Sequence, residues 1–346
     1  MSDPAAQPSP RRDWRGRALG GAAGLLVVAL LVRALGAGHI AAYVGRVGAG
    51  MSWLMAAYLV ANLFYAAPFG LLLPRAARPS WGALLASRFA AVSVNAATPF
   101  LGVGGEPARL LWLAPTQRRR AVAALFVDRG AFLAASALFL LAGVVTAVVR
   151  IPLPRAAKAA LVAVALLAVA AAAALYRLQR RGGVAQPLAR FLALFAPRHR
   201  ERLTRPAREL DDHIRDLHLD GGWRFGAALA LHLGGRAAGA LEVYAGARLL
   251  GLPVGAEGTL VLAALPLAVD FAFSMVPSQI GLHEGATALL AGALGLDPAA
   301  GVALAFLQRV RQVVFVTLGF VLLTLRPRRF GDDRGDRPAV TEPVLR

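Results

Sequence analysis

The sequence predicts an all-α fold, a polytopic bundle of helices that cross a membrane. Of its 346 residues, 58% are apolar and only 16% carry a charge, a composition typical of chains whose solvent is mostly lipid. The apolar residues form long runs, and arginines cluster between the runs. A helix crosses the hydrocarbon core with about 20 apolar residues. We therefore expect about six full spans, together with two re-entrant hairpins of broken helix that form an inverted repeat.

The net charge and the cysteine count exclude several other classes of protein. A net charge of +19 would favour nucleic acid as the partner of a soluble protein. Basic residues between apolar runs are instead typical of membrane loops, so we expect no nucleic-acid partner. The chain has no cysteine and its six histidines are scattered, which predicts no disulfide scaffold, no metal site and no cofactor. The stretch 102–105 lacks the Gly-Lys-Ser/Thr ending of a nucleotide-binding loop.

The full spans can be assigned in chain order, within a membrane domain that we place at residues 18–325. Residues 1–17 are predicted to form a basic cytoplasmic tail, and residues 326–346 a disordered cytoplasmic tail. The first span follows four arginines, as a signal peptide would, but Arg33 interrupts it and more spans follow. We therefore expect an uncleaved anchor. The six predicted spans are residues 18–36, 51–73, 121–149, 156–176, 223–250 and 299–325.

Basic loops orient the chain, because Lys and Arg accumulate on the cytoplasmic side. Both termini are predicted to lie inside, as are Arg75, Arg78 and the basic segment 177–222. The basic group at residues 150–158 is an exception, since the same count of spans puts it outside. Two interpretations of the segment 177–222 stay open: an amphipathic helix that meets anionic lipid, or a solvated linker.

Two apolar stretches, residues 81–113 and 258–296, are interrupted by Pro, Gly and acidic residues at membrane depth. Each break has a proline seven residues before a glutamate, and a span with a Phe-x-x-Arg motif follows each break. We interpret these matches as an internal repeat, residues 81–149 against residues 258–325; the alternative is chance recurrence in a chain rich in Ala, Gly and Leu. By the flanking arginines and the count of spans, the hairpins enter from opposite faces, so the repeats are predicted to be inverted, as in many transporters.

The residue types at the breaks follow from the lipid environment. Non-helical backbone at membrane depth needs partners for its N–H and C=O groups, so it survives only inside protein or beside water. Proline ends the first half-helix, glycine lets the chain turn, and the next half-helix points its N-terminal amides into the cavity. Such an N-terminus attracts anions, including a lipid phosphate. The residues expected to shape the hairpins are Pro99, Gly102, Gly105, Pro277, Gly281 and Gly285.

Polar and charged side chains around the two breaks form the candidate substrate site. Inward-facing ionisable groups within membrane spans are costly, which favours a functional role for them. We expect the basic members to hold a phosphodiester, and Glu106 and Glu284 to balance their charge or to carry a proton. The candidate substrate-binding residues are Asn95, Glu106, Arg109, Asp128, Arg129, His283, Glu284 and Arg309.

Each of these candidates also has a purely structural interpretation. A glutamate at a helix N-terminus can serve only as a cap, and Glu106 can pair with Arg109 across one helical turn. Arg129 can pair with its neighbour Asp128 and close the bundle. The two arginines of the last span have no acidic neighbour in sequence, so at least one needs a partner from elsewhere. Further candidates, as ligand contacts or partners, are His232, Arg236, Glu242 and Asp270.

At the two breaks the chain resembles the membrane domain of the lysylphosphatidylglycerol synthase family. The residues that carry the resemblance are 95–99, 105–109, the pair Asp128-Arg129, 277–285 and Arg309, and it spans most of residues 18–325. The resemblance implies a bacterial-type cytoplasmic (inner) membrane and the movement or presentation of lipids, including aminoacylated phosphatidylglycerol, across it. Some members of the family are associated with glycolipid or hopanoid modification.

The chain departs from the family pattern at three points. Asp128 stands where the family often has Glu, and His283 stands where Arg is common, which makes His283 a candidate pH-sensitive contact. We expect no soluble aminoacyl-transfer domain of the kind that the full-length synthases carry. We therefore expect that this chain does not make lysyl-lipid by itself.

Three functions are compatible with these observations. The leading hypothesis is a lipid flippase or translocase, which moves or presents phospholipid or another anionic, lipid-linked substrate across the cytoplasmic membrane. The first alternative is a membrane-embedded lipid-modifying transferase with Glu106 or Glu284 as general base; no motif for a nucleophile, metal or nucleotide supports it, so transport is favoured over catalysis. The second alternative is a non-catalytic partner that holds a separate lipid synthase or transferase through residues 177–222.

Overall fold

The computed structural model of the protein describes residues 47–98, 104–195, 200–219, 221–272 and 281–325, together with the isolated positions 26, 29, 33 and 45. Within these residues the chain forms α-helices joined by turns and short 3-10 helices, and no strand occurs among them. The predicted all-α fold is therefore confirmed. The predicted tails and most of the first predicted span lie outside the described residues, as do Pro99, Gly102 and Pro277.

Twelve α-helices are seen in the described part of the chain, and they are numbered here in chain order. The first four are α1 (Gly50–Leu72), α2 (Trp81–Ala97), the short α3 (Glu106–Arg109) and α4 (Arg118–Arg150). The next four are α5 (Arg155–Arg181), α6 (Ala185–Phe195), α7 (Arg200–Leu219) and α8 (Gly222–Leu249). The last four are α9 (Ala256–Ala264), α10 (Pro266–Ala272), α11 (Leu282–Ala293) and α12 (Pro298–Thr324).

Four of the described helices are long and apolar enough to cross a membrane, namely Gly50–Leu72, Pro115–Arg150, Arg155–Arg181 and Pro298–Thr324. They correspond to four of the six predicted spans. The predicted span 223–250 is the helix α8, which is long enough but is not among the four, because His232, Arg236 and Glu242 lower its mean hydropathy. The protein is thus a membrane protein with several apolar helices, while the total of six spans stays a prediction.

The helix α8 lies in the interior of the bundle. It packs along α1 and α4, while α12 packs against α2 and α11, and α5 packs against the outer side of α4. Most of α5 is exposed: its buried residues are Ala165 and Gln179, and Leu166 and Leu167 point outward. An apolar helix with an apolar exterior is typical of a segment that contacts lipid.

A glycine allows one of these helix pairs to approach closely. A Cβ added to Gly319 on α12 would lie 2.0 Å from Ser93 Oγ and 2.2 Å from the Phe89 carbonyl oxygen on α2. The same serine hydroxyl donates to the Val316 carbonyl at 2.8 Å. Small residues at membrane helix interfaces bring backbones together in this way. The close crossing of α2 and α12 joins the two halves of the chain.

The described residues of the basic segment 177–222 are mostly helical. The helices α6 and α7 pack against each other, and Asp211 on α7 accepts the backbone N–H groups of Val184, Ala185 and Gln186 at 3.0, 2.7 and 2.9 Å. These N–H groups lie at the start of α6, where a helix has no internal partners for them. The hairpin of α6 and α7 is therefore held by a cap from its second helix.

Candidate functional site

A cavity of about 520 Å³ lies inside the bundle between α1, α2, α4, α8 and α12. Its lining is strongly basic: the arginines that line it are Arg88, Arg129, Arg236, Arg309 and Arg311. They come from four different helices, so the cavity is formed only when the helices pack. Glu242 is the one carboxylate among the described lining residues. Such a lining favours an anionic ligand.

Aromatic rings support the arginines of the cavity. The guanidinium carbon of Arg311 lies 3.9 Å from the centroid of the Tyr58 ring, and those of Arg236 and Arg129 lie 4.8 and 4.9 Å from the centroid of Phe132. A cation over the face of an aromatic ring is attracted by the ring quadrupole. The rings therefore orient the cations without neutralising their charge.

The second break meets the cavity through the start of α11. Gly281 has φ +87°, a backbone conformation that glycine adopts without strain. The Gly281 N–H donates to Glu284 Oε2 at 2.7 Å, and Arg309 Nε donates to Glu284 Oε1 at 2.7 Å. Glu284 is therefore a helix cap and an ion-pair partner at once. His283, which lines the cavity, lies 3.1 Å from Gln308 Oε1 through its Nε2.

The first break is anchored on α2. The Gly105 N–H donates to Asn95 Oδ1 at 2.6 Å, and a Cβ added to Gly105 would lie 2.0 Å from the Ala91 carbonyl oxygen. Only glycine allows the returning chain to pass this close to the helix backbone. By contrast, a Cβ added to Gly285 in the second break would meet nothing within 4 Å, so no close contact requires glycine there.

A buried network of charges lies behind the cavity lining. Arg109 is only 1% exposed, and its Nη1 donates to Glu106 Oε2 at 3.2 Å and to Asp128 Oδ2 at 2.5 Å. The other oxygen of Asp128 lies 2.9 Å from His232 Nε2. None of these four residues lines the cavity. They tie α3, α4 and α8 together.

The structure thus divides the predicted site residues into two groups. Asn95, Arg129, His283 and Arg309 line the cavity, and Glu284 contacts it through Arg309. Glu106, Arg109 and Asp128 belong instead to the buried network. Asp128 pairs with Arg109 and His232 rather than with its neighbour Arg129. Adjacent residues on a helix do not face each other.

Sequence reasoning passed over several residues of the cavity lining, among them Arg88, Tyr58 and Tyr65. An isolated arginine within the apolar helix α2 is the signal that could have revealed Arg88, because such charges face the interior of a bundle.

Of the further candidates, Arg236 and Glu242 do line the cavity, and Glu242 pairs with Arg311. Asp270 has its side chain outside the described part of the structure. In the described part of the chain, no cluster of His, Asp and Glu side chains is arranged to hold a metal ion.

Comparison with known proteins gives one match. The family model described as the lysylphosphatidylglycerol synthase TM region matches residues 17–319, which include both breaks and every described residue of the cavity lining. No curated protein and no solved structure matches the chain.

Proposed function

Because the chain belongs to the family of the lysylphosphatidylglycerol synthase TM region, a membrane family related to lipid modification or translocation, we propose that it is a lipid flippase or translocase. In this proposal the cavity receives the anionic head group of a phospholipid or lipid-linked substrate, while the acyl chains stay in the bilayer. We further propose that the protein resides in a bacterial-type cytoplasmic membrane with both termini inside.

The observation that carries the proposal is the set of five arginines around one cavity. An ionised side chain at membrane depth costs at least about 2.5–3.5 kcal/mol on insertion scales. Guanidinium groups bind phosphate oxygens through short, charge-assisted and often bidentate hydrogen bonds. A phosphate-bearing head group would therefore offset the cost of holding these cations inside the bundle.

A second observation supports a cavity that opens alternately to the two faces of the membrane. Arg129 and Arg309 occupy matching positions in the two predicted repeats, and both line the same cavity. Asn95 and His283, one from each break, line it as well. A site shared between two inverted repeats is the arrangement with which many transporters alternate access, and we propose that arrangement here.

The test is transport by the full chain in vesicles that contain phosphatidylglycerol labelled on its head group or acyl chain with a fluorophore. Chemical quenching from outside measures how fast the labelled lipid crosses. We expect Arg129→Gln and Arg236→Gln each to slow crossing by about tenfold, the effect of losing one charge-assisted hydrogen bond. Arg248→Gln is the matched control, because Arg248 lies on α8 with Arg236 but is exposed.

The outcomes separate the site from the function. Crossing that stays unchanged in both cavity variants would remove the proposed site. Crossing no faster than in protein-free vesicles, with folded wild-type protein and several labelled lipids, would contradict the function itself. The unfolding temperature of each variant shows whether a slower rate reflects a damaged fold.

The geometry gives less support to a transferase. Glu106, one of the two candidate general bases, is bonded to Arg109 and does not line the cavity. Glu284, the other, accepts hydrogen bonds from Arg309 and from the Gly281 backbone. A general base must reach the substrate proton, and an ion pair with an arginine makes a carboxylate a weaker base.

A further inference from the structure

The arginines of the cavity differ in what balances their charge. Arg309 forms an ion pair with Glu284, and Arg311 forms one with Glu242. Behind the lining, Arg109 contacts both Glu106 and Asp128. Each of these three cations has a carboxylate of its own, so each can be stable without a ligand.

Arg88 and Arg236 are held only by neutral groups. Arg88 Nε donates to the side-chain oxygen of Asn62 at 3.4 Å, and Arg236 Nη2 donates to the Ser136 hydroxyl at 2.5 Å. In the described part of the chain neither forms an ion pair, and the buried Nε of Arg236 has no hydrogen-bond partner there. Amide and hydroxyl partners fix the position of a guanidinium but leave its charge uncompensated.

These two arginines flank the same part of the cavity. Their guanidinium carbons lie 5.2 and 6.0 Å from the centroid of one ring, that of Tyr65. They come from α2 and α8, so the ring is within 6.0 Å of cations from two separate helices. A ligand that reached Tyr65 would be able to contact both guanidinium groups.

The charge that a ligand must supply follows from Arg88 and Arg236. Arg109, Arg309 and Arg311 each pair with a carboxylate, whereas Arg88 and Arg236 are held by an amide and a hydroxyl. Together these two arginines present two positive charges that no ion pair balances in the described part of the chain. Buried charges in membrane proteins are normally compensated by a partner of opposite sign.

We propose that the preferred ligand carries two negative charges on phosphoryl oxygens, as a lipid phosphomonoester or lipid diphosphate does, rather than the single charge of a phosphodiester. A phosphomonoester carries about −1.5 to −2 charges at pH 7, because its second pKa is about 6. Arg88 and Arg236 bind the phosphoryl group from its two sides. This inference rests on the proposed function insofar as the cavity receives lipid head groups, and it names the class of head group.

The test measures binding of short-chain lipids to the purified full chain in detergent by calorimetry. Phosphatidic acid, phosphatidylglycerol and phosphatidylethanolamine present a dianion, a monoanion and a zwitterion at pH 8, and inorganic phosphate presents a dianion without a lipid. We expect phosphatidic acid to bind at pH 8 at least about tenfold more tightly than phosphatidylglycerol. At pH 5 the phosphomonoester loses its second charge, so this preference should disappear.

Variants test which residues cause the preference. Arg88→Gln and Arg236→Gln should each weaken binding of phosphatidic acid by at least about tenfold and weaken binding of phosphatidylglycerol by a smaller factor, so that the preference for phosphatidic acid falls. Arg88→Lys keeps the charge and should retain most of the preference. The control Arg248→Gln should change neither affinity, since Arg248 lies on the exposed side of α8.

Several results would overturn the inference. Equal affinities for phosphatidic acid and phosphatidylglycerol at pH 8, or an unchanged preference in both glutamine variants, would contradict it. Inorganic phosphate that bound more tightly than phosphatidic acid would show that the ligand is a soluble anion instead. Suppose that Arg236→Gln slows the crossing of labelled phosphatidylglycerol while phosphatidic acid binds no more tightly than phosphatidylglycerol. The inference then fails and the transport proposal stands. If phosphatidic acid binds more tightly but no lipid crosses, the transport proposal fails and the inference about the ligand stands.

Discussion

Arg109 is at the centre of the buried charge network behind the cavity lining. Its guanidinium lies 4.3 Å from the Phe69 ring centroid and contacts two carboxylates, yet its Nε and Nη2 have no partner among the described residues. The contact with Glu106 is the one expected from their spacing of three residues, whereas the contact with Asp128 joins two helices. A buried cation of this kind depends on every carboxylate near it.

At this scale we predict that Asp128→Asn destabilises the protein by about 3–5 kcal/mol, the usual cost of leaving a buried charge without its partner. Thermal or denaturant unfolding in detergent measures the loss. Asp212→Asn is the matched control, since Asp212 is exposed on α7, and it should change stability by less than about 0.5 kcal/mol. Equal losses in the two variants would contradict the structural role of the network.

The hairpin of α6 and α7 shows how one element is held against another. Asp211 is fully buried and caps the first turn of α6. His218 packs against Tyr176 and Phe225, and burial together with the charge of Arg180 lowers the pKa of its imidazole to about 4. His218 is therefore neutral at pH 7, and the hairpin docks onto α5 and α8 through neutral contacts.

At the scale of the element we predict that Asp211→Ala frees the start of α6. The N–H groups of residues 184–186 lose their acceptor, so their hydrogen exchange should become faster by about 5- to 30-fold, which corresponds to a helix cap of about 1–2 kcal/mol. Hydrogen exchange followed by mass spectrometry resolves this segment. Asp216→Ala removes an exposed carboxylate from the same helix and should leave exchange unchanged; unchanged exchange in Asp211→Ala would show that the cap is dispensable.

Over the whole molecule, the cavity exists because the two halves of the chain cross closely. The helix α2 supplies Arg88 and Asn95, and α12 supplies Arg309 and Arg311. Gly319 sets the distance between these helices, since any side chain there would collide with Ser93. Interfaces of this kind in membranes depend on van der Waals packing rather than on the hydrophobic effect.

At this scale we predict that Gly319→Ala separates α2 from α12 and destabilises the protein by about 1–3 kcal/mol, the usual cost of overpacking. Gly226→Ala on α8 is the control, because its added Cβ would meet nothing within 4 Å, and it should be neutral or stabilising by up to about 1 kcal/mol. Unfolding temperatures measure both. A neutral Gly319→Ala would mean that the crossing of the two helices is loose.

The sequence by itself determined the features that depend on neighbouring residues. Runs of apolar residues predicted an all-α membrane protein and four helices that the structure also finds long enough to span. The pattern of Pro, Gly and Glu predicted two breaks, and the described parts of each, at Gly105 and at Gly281, show a glycine that the backbone path requires. Hydropathy and turn chemistry act over a few residues, so they can be read along the chain.

Only the tertiary structure decided what each charged residue does. The pairs Arg109 with Asp128, His232 with Asp128, and Arg311 with Glu242 join residues that are 19, 104 and 69 positions apart in sequence. Spacing along the sequence does not predict such pairs, because they depend on how the helices cross and on which face each helix turns toward its neighbour. Helix packing buries Arg109 in a structural network. It also places Arg88 in the cavity lining, although no sequence motif had predicted a role for that residue.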